Sequence, residues 1–155
     1  MRTLVFISLS LLSGVSHATS FQSVHPASES HAVLYVYHYC TPKGSGGGGA
    51  NISVDDVRRA YVFAGTYFGA SIPAGHHDLK WSGSEVPTIK VPLTLVAGMT
   101  YYVRVSLPKL VTGDLISGGT LLHTLEMVNP AEGEREIQSC EKSKKRWLSR
   151  RDFDA

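Results

Sequence analysis

Thr88-Ile89-Lys90-Val91-Pro92-Leu93-Thr94-Leu95 and, past Val96-Ala97-Gly98-Met99, Thr100-Tyr101-Tyr102-Val103-Arg104-Val105-Ser106-Leu107 decide the fold class of this chain. In the first run Ile89, Val91, Leu93 and Leu95 alternate with Thr88, Lys90, Pro92 and Thr94, the two-residue period of a strand with one oily and one wet face. In the second, Tyr101, Val103, Val105 and Leu107 alternate with Tyr102, Arg104 and Ser106. The Ala97-Gly98 turn between the two runs predicts a hairpin. Upstream, Pro73-Ala74-Gly75 turns the chain into a third strand over residues 76–81.

The same pattern extends in both directions. Residues 32–39 carry Val33, Tyr35, Tyr37 and Tyr39 on one face and Leu34, Val36 and His38 on the other, as a central strand covered on both sides would. Residues 60–64 and 66–72, separated by Gly65, predict a second hairpin whose bulk comes from Tyr61, Phe63, Tyr67 and Phe68. Residues 108–119 read as a loop with some burial and 120–128 as a last strand. Asn129-Pro130-Ala131-Glu132 is a helix start: Asn caps, Pro fits the first helical position and Glu completes a capping box. Ile137, Cys140, Trp147 and Leu148 keep helical spacing, interrupted by Lys144, so the helix from residue 130 is expected to run towards the C-terminus. The class is mainly β: an antiparallel β-sandwich of about seven strands with a C-terminal α-helix.

Residues 41–58 break the pattern with Pro42, Gly44 and the glycines at 46–49, where backbone entropy opposes regular structure, and read as a Gly-rich flexible loop. Gly44, Gly46 and Gly49 spell G-x-G-x-x-G, but a run of glycines produces that spacing by itself. The strand-helix-strand context of a dinucleotide site is also missing. Residues 53–59 carry Asp55 and Asp56 where a short helical turn would have its positive end.

Arg2 followed by the apolar run 4–12 and by Ser16-His17-Ala18 reads as a signal peptide, residues 1–18, cleaved before Thr19. Residues 19–31, rich in Ser and His and without period, are expected to form a flexible N-terminal segment. Residues 32–141 form the single domain and 142–155 a basic tail. No later stretch approaches the length of a membrane span. The formal net charge is +2, so no chain-wide nucleic-acid footprint exists. Cys40 and Cys140 are the only cysteines, and export to an oxidising compartment, periplasmic or secreted, makes a disulfide between them the expectation.

Leu34-Tyr35-Val36-Tyr37, then Gly69-Ala70-Ser71-Ile72-Pro73-Ala74-Gly75-His76-His77-Asp78-Leu79, then Leu93 to Val96 and Ala97-Gly98-Met99-Thr100-Tyr101-Tyr102-Val103-Arg104-Val105 together resemble the PEGA-like group of bacterial β-sandwich domains. Within that group the chain is most similar to a domain-of-unknown-function family of small envelope proteins. The resemblance covers most of residues 32–139 and implies a fold and an envelope setting, with no established activity. Many members look like lipoproteins, whereas the leader here ends at Ala18-Thr19 with no cysteine to acylate, so no lipid anchor is expected. The glycine run and the basic tail are particular to this chain.

His76 and His77 are neighbours on a candidate strand, where successive side chains point to opposite faces, so they are poorly placed to share a metal. His77 falls on the face of Leu79 and Trp81. Distant His38 or His123 remain open as further ligands. No nucleophile elbow, H-E-x-x-H, phosphate loop or paired-acid signature occurs, so no catalytic, cofactor or metal residues are assigned. The expected role is an exported non-catalytic envelope binding or structural module. The alternative is a small hydrolase or metal-dependent enzyme using strand or loop histidines such as His76, His77 and His123 with Asp78. Lys142, Lys144, Lys145, Arg146, Arg150 and Arg151, with Trp147, are the candidate contact to an anionic surface or an acidic envelope partner.

Overall fold

The computed structural model describes residues 21–40, 49–83, 88–106, 109–112 and 120–143. Its strands are β1 (His31–His38), β2 (Ala50–Val54), β3 (Val57–Val62), β4 (Thr66–Pro73), β5 (Gly75–Ser82), β6 (Ile89–Leu95), β7 (Thr100–Val105), β8 (Lys109–Thr112), β9 (Thr120–Leu122), β10 (Leu125–Val128) and β11 (Glu141–Lys142). Helix α1 (Pro130–Ile137) lies between the last two. A five-stranded sheet has the order β10-β7-β1-β4-β11, a four-stranded sheet the order β3-β2-β5-β6, and β8 pairs with β9 alone. The chain is therefore mainly β, with two packed sheets and one helix near the C-terminus, as the alternation predicts. Most ladders are antiparallel, while β1–β7 and β4–β11 are parallel.

Strand β1 is apolar on both faces because both are covered. Ala32, Leu34 and Val36 point into the core between the sheets, against Ile52, Val62, Leu79, Trp81, Leu93 and Val103. Val33, Tyr35 and Tyr37 point the other way, into a second cluster with Tyr67, Tyr102, Ile137 and Cys140 beneath the helix. The five-stranded sheet is thus the middle layer. Helix α1 begins where its cap dictates: Asn129 Oδ1 accepts from the Glu132 N–H at 2.9 Å, and Asn129 Nδ2 donates to Glu132 Oε2 at 3.2 Å. Gly133 lets the helix lie directly on the Tyr102 ring, since a Cβ there would stand 2.3 Å from the ring's Cγ.

Both expected hairpins are corrected. Strand β6 lies in the four-stranded sheet and β7 in the five-stranded one, so 96–99 is a corner between sheets. Gly98 adopts φ 75°, its N–H reaches the His31 carbonyl at 2.9 Å, and the Met99 carbonyl accepts from the Val33 N–H at 2.9 Å. These bonds deliver the chain to β1 as a parallel partner instead of back to β6. Gly65, at φ 79° with its N–H on the His38 carbonyl at 2.8 Å, likewise passes the chain from β3 to β4 in the other sheet.

Six further expectations change. The loop 41–58 contains β2, and the helical turn expected over 53–59 is a tight hairpin whose two central residues, Asp55 and Asp56, take φ 52° and 63°. The loop 108–119 contains β8, and the strand 120–128 divides at His123-Thr124, where the Ser106 N–H donates to the Thr124 carbonyl at 2.9 Å. Helix α1 ends at Ile137 because Cys140 is bonded to Cys40 and the Glu141 N–H is captured by the Gly65 carbonyl at 2.9 Å, which draws the chain into β11. Residues 21–30 have no regular structure, yet they are docked. The Val24 N–H donates to Tyr35 Oη at 2.6 Å and the Gln22 N–H to Tyr67 Oη at 3.0 Å. The Ala27 N–H donates to Ser71 Oγ at 2.8 Å, and the Phe21 ring packs on both tyrosines. The leader 1–18, the glycines at 46–48 and the tail from Lys144 lie outside the described residues.

Candidate functional site

Strands β3 and β4 follow one another in sequence but belong to opposite sheets, so their outer edges run along one seam of the sandwich. Ser143 closes that seam at one point: its N–H donates to the Tyr67 carbonyl at 2.8 Å and its hydroxyl donates to the Tyr61 carbonyl. Beside this bridge opens a cleft of about 260 Å³. Arg59, Ala60 and Tyr61 form one lip, Tyr67, Phe68 and Gly69 the other, and Lys142 and Ser143 the closed end.

The register of β3 explains how Arg59 reaches the cleft. Ile52 pairs with Ala60 and Ser53 with Arg58, so Arg59 is the extra residue of a β-bulge. Bulges re-aim side chains at sheet edges, and Arg59 is exposed. Tyr61 directs its hydroxyl to the Gly49 carbonyl at 2.8 Å, which fixes its ring beside the cleft, whereas the Tyr67 ring is fully buried against Phe21 and Tyr35 with its hydroxyl towards the Gln22 backbone. Lys142 Nζ donates to Gln22 Oε1 at 3.1 Å, which places its charge at the mouth. No carboxylate lines the cleft among the described residues.

The predicted site residues fall in several places. Cys40 and Cys140 form a disulfide with Cα atoms 4.9 Å apart, joining the end of β1 to the segment after α1. Lys142 lines the cleft, while Lys144, Lys145, Arg146, Trp147, Arg150 and Arg151 lie outside the described residues. His76 is exposed, with Nδ1 3.0 Å from Thr94 Oγ1. His77 bonds Asp55 Oδ2 through Nδ1 at 2.6 Å and the Pro73 carbonyl through Nε2 at 2.8 Å. Both acceptors take protons, so this geometry suits the imidazolium. Burial alone lowers the His77 pKa, but the bonds to Asp55 and Pro73 outweigh it and the net shift is upward. Asp55, bonded by His77 and by the Asp78 N–H, is held below the usual carboxylate range.

His38 and His123 meet each other rather than His76 or His77, with ring centroids 5.1 Å apart beside Trp81. His38 is fully buried and neither of its nitrogens has a hydrogen-bond partner among the described residues. Burial, reinforced by His123, lowers its pKa to about 4. His123 Nδ1 donates to the Ser106 carbonyl at 2.8 Å. Among the described residues no group of three or more His, Cys, Asp or Glu side chains is placed to hold a metal ion.

Sequence reasoning missed Arg59, Tyr61 and Gly69. The available signal was Arg58-Arg59 against the short apolar alternation of 50–54, which together imply a hairpin with a residue too many. No protein-family model, curated protein or solved structure matches the chain. The molecule is a disulfide-linked β domain of two packed sheets, with an aromatic and cationic cleft along one seam. No helix among the described residues is long and apolar enough to cross a membrane.

Proposed function

We propose that the chain is an exported, non-catalytic envelope module, periplasmic or secreted, that binds an anionic partner through the seam between β3 and β4. The observation that carries this reading is the cleft itself, where Arg59 and Lys142 flank Tyr61 and Phe68 with no lining carboxylate among the described residues. The polar side chains best suited to chemistry are engaged elsewhere: both His77 nitrogens are bonded, and Arg104 is shared among Glu126, Glu132 and Glu136. The disulfide supports an oxidising compartment. The PEGA-like resemblance is taken to support an envelope setting, and the basic residues after Lys142 extend the cationic surface in sequence.

The test is capture from envelope extract on immobilised chain, comparing the native protein with the Arg59→Glu, Lys142→Glu double variant. A partner retained by the native protein and lost by the variant is the expected result, and equal capture by both refutes a seam-centred role. Metal analysis and an activity screen with alanine at His76, His77, Asp78 and His123 address the enzymatic alternative. Stoichiometric metal or histidine-dependent turnover would replace the present reading with it.

A further inference from the structure

Among the described residues, the outer edge of β4 is only partly used. Strand β11 pairs with it at Thr66 and Tyr67 in parallel register, and the Glu141 and Ser143 N–H groups bond the Gly65 and Tyr67 carbonyls. Backbone groups of alternate strand residues point to the same side. The N–H and C=O of Gly69 and Ser71 therefore continue the row that β11 begins, and among the described residues no strand pairs with them there. An open row of this kind is a template for another strand. Here it is also one lip of the cleft, faced across the seam by Arg59 and Ala60.

We propose that this seam accepts an extended acidic peptide segment by strand addition, which continues the parallel β11–β4 ladder past Tyr67. The inference rests on the binding role argued above and names the kind of partner. Main-chain bonds to Gly69 and Ser71 supply affinity and register, while alternate side chains supply selectivity. One side-chain row of the added strand turns inward towards Ala60 and Phe68, which pack at the border of the inter-sheet core, and favours small apolar residues. The other row lies within reach of the cationic mouth and favours carboxylates. The cleft, at about 260 Å³, is below the usual range for a small-molecule pocket, which argues against a compact ligand of that kind. Charge argues against the nearest alternative occupant: Lys144, Lys145 and Arg146 of this chain would bring like charge to Arg59 and Lys142.

The experiment uses full-length mature chain and a capped peptide of four Glu-Val repeats labelled with a fluorophore. Its controls are a Lys-Val repeat of the same length and a Glu-Val repeat with alternate backbone nitrogens methylated on the ladder-facing side. Binding of the first peptide is expected, weakened about tenfold or more by Arg59→Glu and by N-methylation, with little binding of the Lys-Val control. Hydrogen exchange should slow at the Gly69 and Ser71 amides, a readout that charge attraction alone does not move. Equal binding by the methylated peptide, or unchanged exchange at those amides, overturns strand addition. If the double variant loses its captured partner while no acidic peptide binds, the binding role stands and this inference falls. Three other outcomes also overturn it by assigning the seam elsewhere. These are binding only to vesicles rich in anionic lipid, binding that appears only after removal of residues 144–155, and a concentration-dependent dimer abolished by Arg59→Glu.

Discussion

The Tyr37 hydroxyl donates to Glu136 Oε2 across 2.7 Å and so ties the central strand to the end of α1, 99 residues further along the chain. Glu136 also accepts from Arg104 Nη1 at 2.8 Å, and the same guanidinium holds Glu132 at 2.9 Å and Glu126 at 3.0 Å. One cation therefore serves three carboxylates. Tyr37→Phe is expected to cost about 1 kcal/mol, a single bond at a site where Glu136 keeps another donor. Arg104→Leu should cost more, because it leaves three glutamates facing one another. Restoring part of that loss with Glu132→Gln in the Arg104→Leu background, measured by urea denaturation, is the expected signature of coupling. Strict additivity would show that the four groups act independently.

His38 and His77 tie stability to pH with opposite signs. Folded His38 titrates at about 4 against an ordinary 6.5, so the unfolded chain takes up a proton that the folded chain refuses. Its contribution is complete above pH 6.5 and declines at about 1.4 kcal/mol per pH unit as the pH falls towards 4. His77 is raised, so its contribution is complete below the ordinary 6.5 and is lost as the pH rises through its folded value. Denaturation midpoints against pH should show both arms. His38→Phe is expected to flatten the acidic one and His77→Gln the other, and a profile unchanged by His38→Phe would contradict the first assignment.

Gly133→Ala sets helix propensity against packing. Alanine is better than glycine in an isolated helix by about 1 kcal/mol. Here its Cβ would meet the root of the Tyr102 side chain, which cannot swing aside without moving the strand. A net destabilisation of about 1–3 kcal/mol is expected from thermal unfolding. Pairing it with Tyr102→Ala should remove most of the penalty attributable to Gly133→Ala.

The Cys40–Cys140 bond closes a loop with sequence separation 100 and draws together the two segments that follow β1 and α1. Its loss should lower stability by up to about 4–5 kcal/mol in the chain-entropy account. Comparing denaturant midpoints with and without reductant checks the magnitude. Intact mass after alkylation checks the pairing, since two alkylated cysteines in unreduced protein would contradict it.

Strands with one wet face announced themselves, and β5, β6 and β7 lie within a residue or two of where the alternation puts them. Pairing was not readable, because a tight corner such as 96–99 has the composition of a hairpin turn. Whether it returns to its own sheet is settled by the remote carbonyl of His31, which accepts from Gly98. Strand β2 was hidden by its neighbours, a glycine run before it and two aspartates after it that equally suit a helix start. The docking of residues 21–30 leaves no period because tyrosine and serine hydroxyls, rather than a ladder, receive its N–H groups. The cleft escaped notice for a similar reason: Arg59 reaches it through a bulge and Lys142 through the turn after Cys140, neither of which follows a face pattern.

Strand β1, flanked by β4 and β7, has a bearing on how the molecule assembles. It is the first of these strands to be synthesised and emerges with two oily faces and two unpaired edges. Its antiparallel partner begins at Thr66 and its parallel partner at Thr100. Until both arrive, Ala32-Val33-Leu34-Tyr35-Val36-Tyr37 is an uncharged β-forming segment of the kind that self-associates. Pairings this distant in sequence form slowly. The interval between the emergence of β1 and the arrival of β7 is therefore when the nascent chain most needs a holding chaperone, and mutations that slow the 96–99 corner should appear as lost yield before they appear as lost stability.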